Sequence, residues 1–279
     1  MSDEFGSIST ASPPTDPSGL QPPDRHDGRP VPVPGEVALP SRSVVGATLA
    51  LIGINILVYL ANLLLNNLVT LYGALVPLLV VQYRQWWRLI VAGFLHADLM
   101  HIALNLYAFY GLGQLTERFF GTRRLVAIYS VSLLGAGVLV TLFSPLNTPT
   151  VGASGAIMGV LGALVVFFWT YHEHLTGGRN FLNRLIQMAV INIAVGLLPG
   201  ISWWGHLGGF VFGALTGFVL IPRFTQRCVT GPLGELRCYM VAEGQGTSQR
   251  STDTHQRRYL GLIIIAEAAL LALAYGLRG

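Results

Sequence analysis

Residues 151–171 read VGASGAIMGVLGALVVFFWTY, an apolar run without a single charged residue. A helix that crosses the hydrocarbon core of a membrane needs about 20 mostly apolar residues. This stretch therefore predicts a transmembrane helix. Its first polar side chain is Ser154, which stands between Ala153 and Gly155. A serine in this setting is either a small packing residue or part of a functional site, and its surroundings must decide between the two.

The composition of the whole chain agrees with a membrane protein. Of its 279 residues, 52% are hydrophobic and only 11% are charged, whereas soluble domains carry about 25% charged residues. So few charges cannot cover a surface that faces water. All 17 basic residues are arginines, and they are scattered between apolar segments. This distribution argues against nucleic-acid binding, which favours basic residues gathered on one face.

Further apolar segments resemble the first in length. The predicted membrane spans are residues 43–65, 99–116, 124–143, 151–171, 181–199, 203–221 and 259–277. The fifth is the most polar, because Asn183, Arg184, Gln187 and Asn192 interrupt it. This series predicts an all-α polytopic membrane protein.

The predicted spans divide the chain into four parts. Residues 1–42 are rich in Pro, Ser, Gly and Asp and predict a disordered cytoplasmic tail. Residues 43–222 hold six spans and form the predicted core. Residues 223–258 are predicted to be a cytoplasmic loop, and residues 259–279 the seventh transmembrane helix.

The arginines predict the orientation. If the N-terminus is cytoplasmic, every arginine except Arg84, Arg88 and Arg278 falls on the cytoplasmic side. Cytoplasmic loops are normally enriched in Lys and Arg. We therefore expect a cytoplasmic N-terminus and an extracytoplasmic C-terminus, in a plasma membrane that we take to be bacterial.

In this orientation the polar residues with catalytic potential share the outer side. Ser154 begins the fourth span and His206 the sixth, each about three residues past the predicted start of its helix. A serine hydroxyl becomes a good nucleophile when a neighbouring base accepts its proton, and a neutral imidazole is such a base near pH 7. No Asp or Glu lies deep in the first six predicted spans. If the chain is a hydrolase, the pattern therefore predicts a Ser–His dyad rather than a triad.

Donors for an oxyanion are also available at this side. His101 and Asn105 lie four residues apart, on one face of the second span. The backbone N–H of Ser154 belongs to a first helical turn, where amides lack intrahelical partners. Hydrogen bonds between helices are an alternative role for His101 and Asn105.

Small residues suggest how Ser154 and His206 could meet. Glycines recur every four residues in the fourth and sixth spans, and such stripes let two helices approach closely. We expect the two stripes to face each other, although either could serve another contact. They comprise Gly155 and Gly159 in one span and Gly205, Gly209, Gly213 and Gly217 in the other.

In their order along the chain, these residues resemble the pattern of the rhomboid intramembrane serine proteases, over roughly residues 43–222. The matching residues are Trp87, Arg88, His96, His101, Asn105, Gly152, Ser154, Gly155, His206, Gly208 and Gly209. The resemblance implies a six-helix core with one additional C-terminal helix. It also implies Ser154 as nucleophile, His206 as base, and Asn105, His101 and the Ser154 amide as the oxyanion site. One departure is Met158, where some members place an aromatic ring against the histidine.

The resemblance further implies an endopeptidase that cleaves single-pass transmembrane proteins near the outer membrane interface. No metal and no organic cofactor is expected. Two rival functions remain open: a non-catalytic relative that binds transmembrane helices, and a transporter. A non-catalytic relative would be expected to lack the serine or the histidine. A transporter would show internal repeats and ionisable groups at mid-membrane; no repeat is evident and the polar residues lie near one face, although Glu267 in the seventh span is an acidic residue at depth whose role is open. The oligomeric state is open.

Overall fold

The computed structural model describes residues 46–175, 177–230, 236–242 and 249–279. Within these ranges, side chains are described for all residues except 225–254. The tail predicted at residues 1–42 lies outside the described residues. In chain order, the elements are α1 (Gly46–Leu64), α2 (Leu68–Gly73), α3 (Pro77–Val81), α4 (Arg88–Val91), α5 (Leu99–Phe120), α6 (Thr122–Phe143), α7 (Ser154–Tyr171), α8 (Gly178–Val195), α9 (Trp203–Leu220), β1 (Phe224–Thr230), β2 (Leu236–Ala242) and α10 (Gln249–Arg278). Two single 3₁₀ turns, Ala92–Phe94 and His172–His174, follow α4 and α7.

The predicted all-α polytopic fold is confirmed. Within the described residues, five helices are long and apolar enough to cross a membrane: α1, α6, α7 with the turn after it, α9, and α10 from His255. A sixth span arises if α4 and its 3₁₀ turn are counted with α5, to which they are joined at an angle of 92°.

The fifth predicted span differs from the others. Helix α8 lies where a span over residues 181–199 was predicted, but it is not among the helices that are apolar enough to cross a membrane. Its polar side chains, including Asn183, Arg184 and Gln187, lower its hydropathy, and all three are exposed. It also begins and ends about four residues earlier than predicted.

Within residues 223–258, the segment predicted to be a cytoplasmic loop, the structure has two strands and the first residues of α10, and the cytoplasmic location stays a prediction. Strands β1 and β2 pair antiparallel, with Cys228 opposite Cys238. Helix α10 then begins at Gln249, well before the predicted start at residue 259. Both strands contain β-branched residues, and Gly231 and Pro232 between them are turn-forming residue types. The prediction weighed only apolar length and missed this hairpin pattern.

Helices α6, α7 and α9 form the centre of the bundle, and α7 and α9 pack together most extensively. The two glycine stripes face each other, as predicted: a β-carbon on Gly209 would overlap the backbone of Gly155, and one on Gly213 would overlap Gly159. Helices α9 and α6 approach each other in the same way, because a β-carbon on Gly208 of α9 would lie 2.8 Å from the carbonyl oxygen of Gly135 in α6. The absence of side chains is therefore what allows these backbones to touch.

Glu117 joins three helices at the opposite end of the bundle from Ser154. It lies in the last turn of α5, is 4% exposed, and accepts hydrogen bonds from the amides of Ala47 and Thr48 at 3.0 Å. It also accepts from the hydroxyls of Thr48 and Thr122, each at 2.8 Å. First-turn amides lack intrahelical partners, so Glu117 caps α1 and ties it to the start of α6. The sequence analysis ended the second span at residue 116 and missed this buried acid.

Helix α10 runs alongside α6 in the same direction. Arg124, near the start of α6, donates to the Oε1 atom of Gln256 at 3.3 Å. At the other end, Arg278 donates to the carbonyl oxygens of Thr141 and Ser144, each at 2.7 Å. These are carbonyls of the last turn of α6, which have no partners within the helix. Helix α10, which contains the predicted seventh span, is thus bonded to the core at both ends.

Candidate active site

Four helix ends surround one large cavity. The first turns of α5, α7 and α9 and the last turn of α8 border a cavity of about 1190 Å³. Its lining includes Ser154, His206, His101 and Asn105. The structure therefore brings together the four side chains that the sequence analysis placed on one side of the membrane.

Ser154 is the first residue of α7 and is half-buried at the cavity wall. The prediction placed it about three residues inside the helix, whereas the chain becomes helical only at Ser154 itself. The preceding turn explains this start, because Gly152 has a φ of +128°, a conformation that L side chains rarely adopt. The amide of Gly152 donates to the carbonyl oxygen of Ala92 at 2.9 Å, which anchors the turn.

Gly152 also sets the spacing between Ser154 and His101. A β-carbon on Gly152 would lie 2.8 Å from the Nε2 atom of His101 and 3.7 Å from the Oγ atom of Ser154. Both atoms therefore border the small space that the missing side chain leaves open.

Asn105 lies one turn after His101 and is 7% exposed. One N–H of its side-chain amide donates to the carbonyl oxygen of His101 at 2.8 Å. The amide carries a second N–H, which remains as a donor. The start of α5 is fixed by Asp98, whose carboxylate accepts from the amide of His101 at 2.8 Å.

His206 lies in the first turn of α9, three residues after its start at Trp203, as predicted. Ser202 caps this helix, because its Oγ atom accepts from the amide of Gly205 at 3.1 Å. The imidazole is 6% exposed. Its Nδ1 atom lies 2.8 Å from the carbonyl oxygen of Asn192, in the last turn of α8.

This contact determines the protonation pattern of the ring. A carbonyl oxygen only accepts, so the Nδ1 atom of His206 must carry the proton and donate it. In the neutral ring the Nε2 atom then holds the lone pair, which is the form that a general base needs. The role of Asn192 could not be predicted from the sequence, because a backbone carbonyl gives no side-chain signal.

Ser154 and His206 border the same cavity without a direct hydrogen bond, since none joins their side chains among the described residues. Catalytic hydrogen bonds are often long in the absence of substrate and shorten in the complex. Met158 is buried and also lines the cavity, one turn after Ser154. It is therefore placed to pack as an apolar filler near the histidine.

His96 supports the site from behind. It is 2% exposed and does not line the cavity, but its ring meets that of His101 edge to face, with the centroids 5.1 Å apart. In the part of the chain that is described, no group of three His, Cys, Asp or Glu side chains is placed to hold a metal ion. The rings of His96 and His101 thus pack against each other behind the cavity wall.

Trp87 and Arg88 lie outside the cavity and fasten the segment between α1 and α5. Arg88 is 3% exposed and donates to Gln85 and to the carbonyl oxygens of Leu71 and Ala74. Trp87 donates from its indole to the carbonyl oxygen of Tyr72 at 3.1 Å. These bonds hold α2 against α4. Their role is therefore to support the loop that borders the site.

Comparison with known proteins gives a consistent family. A family model described as Rhomboid domain matches residues 83–223, and the chain therefore belongs to the rhomboid family. RHOMBOID-like protein 1 of Arabidopsis thaliana is 37% identical over 166 residues, which cover 56% of this chain and 41% of the relative. Rhomboid protease AarA of Providencia stuartii is 29% identical over 236 residues, 72% of this chain and 83% of the relative.

A further relative, Rhomboid protease GluP of Bacillus subtilis (strain 168), is 33% identical over 147 residues, 51% of this chain and 27% of the relative. The chain spans less than half of the length of the Arabidopsis relative named above. The family match and the apolar helices together show that this chain is an integral membrane protein of the rhomboid family.

Proposed function

We propose that this chain is an intramembrane serine endopeptidase in which Ser154 and His206 act as a catalytic dyad. One observation carries the proposal: both side chains border one cavity, and the Nδ1 atom of His206 is bonded to the Asn192 carbonyl oxygen at 2.8 Å. That bond leaves the Nε2 lone pair for the Ser154 hydroxyl. Two relatives that are named rhomboid proteases, AarA and GluP, support the assignment.

The reaction follows from the positions of these groups. The Nε2 atom of His206 takes the proton of the Ser154 hydroxyl as the Oγ atom attacks a peptide carbonyl carbon. The negative charge on the carbonyl oxygen is met by the Ser154 amide, the remaining N–H of Asn105 and His101. His206 then gives the proton to the leaving amine. Water, activated by the same imidazole, hydrolyses the acyl-enzyme.

The substrate would be a single-pass transmembrane protein that enters between α5 and α8. These two helices, both described throughout, pack against each other very little, and the cavity wall includes residues of both. A substrate segment must unwind there before Ser154 reaches its backbone. Unwound backbone is tolerated at membrane depth only inside a protein or in a wet cavity, which this site would provide.

The orientation of the site is part of the proposal. The arginine distribution favours a cytoplasmic N-terminus, which places the first turns of α5, α7 and α9 on the extracytoplasmic side. Cleavage would then occur near the outer interface. The plasma membrane of a bacterium is the location that we propose.

The proposal is tested by cleavage of a model single-pass substrate in detergent and in liposomes. We expect Ser154→Ala to abolish cleavage and Ser130→Ala to leave it unchanged, because Ser130 is exposed on α6, away from the cavity. Full cleavage by Ser154→Ala would contradict the proposal. So would a wild-type protein that binds the substrate helix but leaves it intact, and that result would favour the non-catalytic binder.

A further inference from the structure

The orientation of a catalytic histidine normally depends on a third group. In hydrolytic triads a buried carboxylate holds the Nδ1–H of the histidine and stabilises the imidazolium. Among the residues that the structure describes, Asp98 is the one acid that lines the cavity, and its Oδ1 atom accepts from the backbone amide of His101 at 2.8 Å. The group bonded to Nδ1 of His206 is instead the carbonyl oxygen of Asn192.

The position of Asn192 in its helix makes this carbonyl a good substitute. It lies in the last turn of α8, and besides bonding to His206 it accepts a bond of 3.2 Å from the Gly196 amide. The last carbonyls of a helix carry partial negative charge, which stabilises a cation placed beside them. The end of α8 thus offers both a fixed acceptor and a favourable potential for an imidazolium.

We infer that the C-terminal end of α8 is the positioning element of the base, and that His206 is set for catalysis only while this end is docked against the start of α9. This inference rests on the proposed function. In a triad a carboxylate holds the Nδ1–H of the histidine. Here the backbone carbonyl of Asn192 takes that role, on a helix that borders the proposed substrate entrance. Displacement of α8 would release the Nδ1–H and leave the ring without a fixed orientation.

Gly196 is the residue that permits the docking. A β-carbon there would lie 2.9 Å from the Cα atom of Trp203, at the start of α9, and 3.0 Å from the carbonyl oxygen of Ile193. The backbones of the two helix ends therefore meet because residue 196 has no side chain. Its φ of −58° is ordinary for any residue, so a substitution would act through space rather than backbone strain.

The test combines a spectroscopic and a kinetic measurement on the full-length protein. In protein labelled with ¹⁵N-histidine, we expect the His206 signals, assigned by their loss in His206→Gln, to show the Nδ1–H tautomer. Gly196→Val should abolish this preference for the Nδ1–H tautomer. It should also lower kcat about 100-fold, because a misplacement of a catalytic group by about 1 Å has an effect of this size. KM should change little. If Gly196→Val fails to fold, Gly196→Ala gives a smaller displacement of the same kind.

A control variant separates the docking of α8 from other causes. Gly111→Ala adds a β-carbon where nothing lies within 4 Å and should retain both the tautomer and kcat. The inference is overturned if Gly196→Val keeps the Nδ1–H tautomer and normal kcat, or if Gly111→Ala loses both. A wild-type protein that shows this tautomer but cleaves nothing would contradict the proposed function alone.

Discussion

At the scale of single residues, Gly152 combines two requirements that only glycine meets. Its φ is +128°, and the site of its missing β-carbon lies 2.8 Å from the Nε2 atom of His101. An added methyl group would strain the backbone and press on the imidazole at once. Gly152 thus holds open the space beside Ser154 that the oxyanion of a substrate would occupy.

We predict that Gly152→Ala lowers kcat by about 100-fold or more, the effect of losing an oxyanion donor. Thermal unfolding in detergent should show a loss of stability of about 1–3 kcal/mol from the strained φ. The matched control is Gly111→Ala in α5, which has open space around it. Normal turnover by Gly152→Ala would show that His101 does not act beside Ser154.

A site residue could be predicted from the sequence when its side chain carries the chemistry, but not when its backbone does. Ser154, His206, His101 and Asn105 could be found because their side chains carry the chemistry and the predicted spans place them at one depth. Asn192 could not, since its carbonyl would be present with any side chain. The start of α7 at Ser154 was missed for a related reason: the φ of Gly152, which delays the helix, depends on a bond to Ala92 far away in the chain.

At the scale of elements, contacts between helix ends hold the bundle together. The facing stripes of α7 and α9 could be predicted, because glycines at a spacing of four residues mark one helix face. The bond network of Glu117 could not, because it depends on where α5 ends and on which helix start lies beside it. The strands β1 and β2 were missed since a search for long apolar runs does not weigh β-branched residues in a polar segment.

We predict that Glu117→Gln destabilises the protein by about 1–3 kcal/mol. The carboxylate accepts from two amides and two hydroxyls, whereas a glutamine offers one oxygen and would turn an amide group toward donors. Thermal unfolding in detergent measures the loss. Glu173→Gln is the control, because Glu173 is exposed. Equal stability of the two variants would contradict the capping role of Glu117.

At the scale of the whole molecule, the order of the seven long helices followed from apolar length, whereas the short helices α2, α3 and α4 did not. Six of the seven predicted spans coincide with helices that are apolar enough to cross a membrane when the bent pair is counted as one. Helix α8 is the exception, because the exposed polar side chains of Asn183, Arg184 and Gln187 lower its hydropathy. The orientation of the bundle in the membrane stays a prediction.

Fusions to topology reporters test that orientation. A periplasmic phosphatase fused after Gly279 should be active, and one fused at residue 245, between α9 and α10, should be inactive. The reason is the concentration of arginines in the segments assigned to the cytoplasm. A cytoplasmic fluorescent reporter at the same two sites should give the opposite pattern. If both reporters show the reverse, the site faces the cytoplasm.

The central claim is that an imidazole from α9 activates a hydroxyl from α7, and labelling with a fluorophosphonate tests it most directly. The probe reacts with activated serines and needs no knowledge of the substrate. We predict that the folded wild type is modified at Ser154, and that His206→Ala, with unchanged thermal stability, is not. Equal labelling of both proteins, or modification of another serine instead of Ser154, would contradict the account.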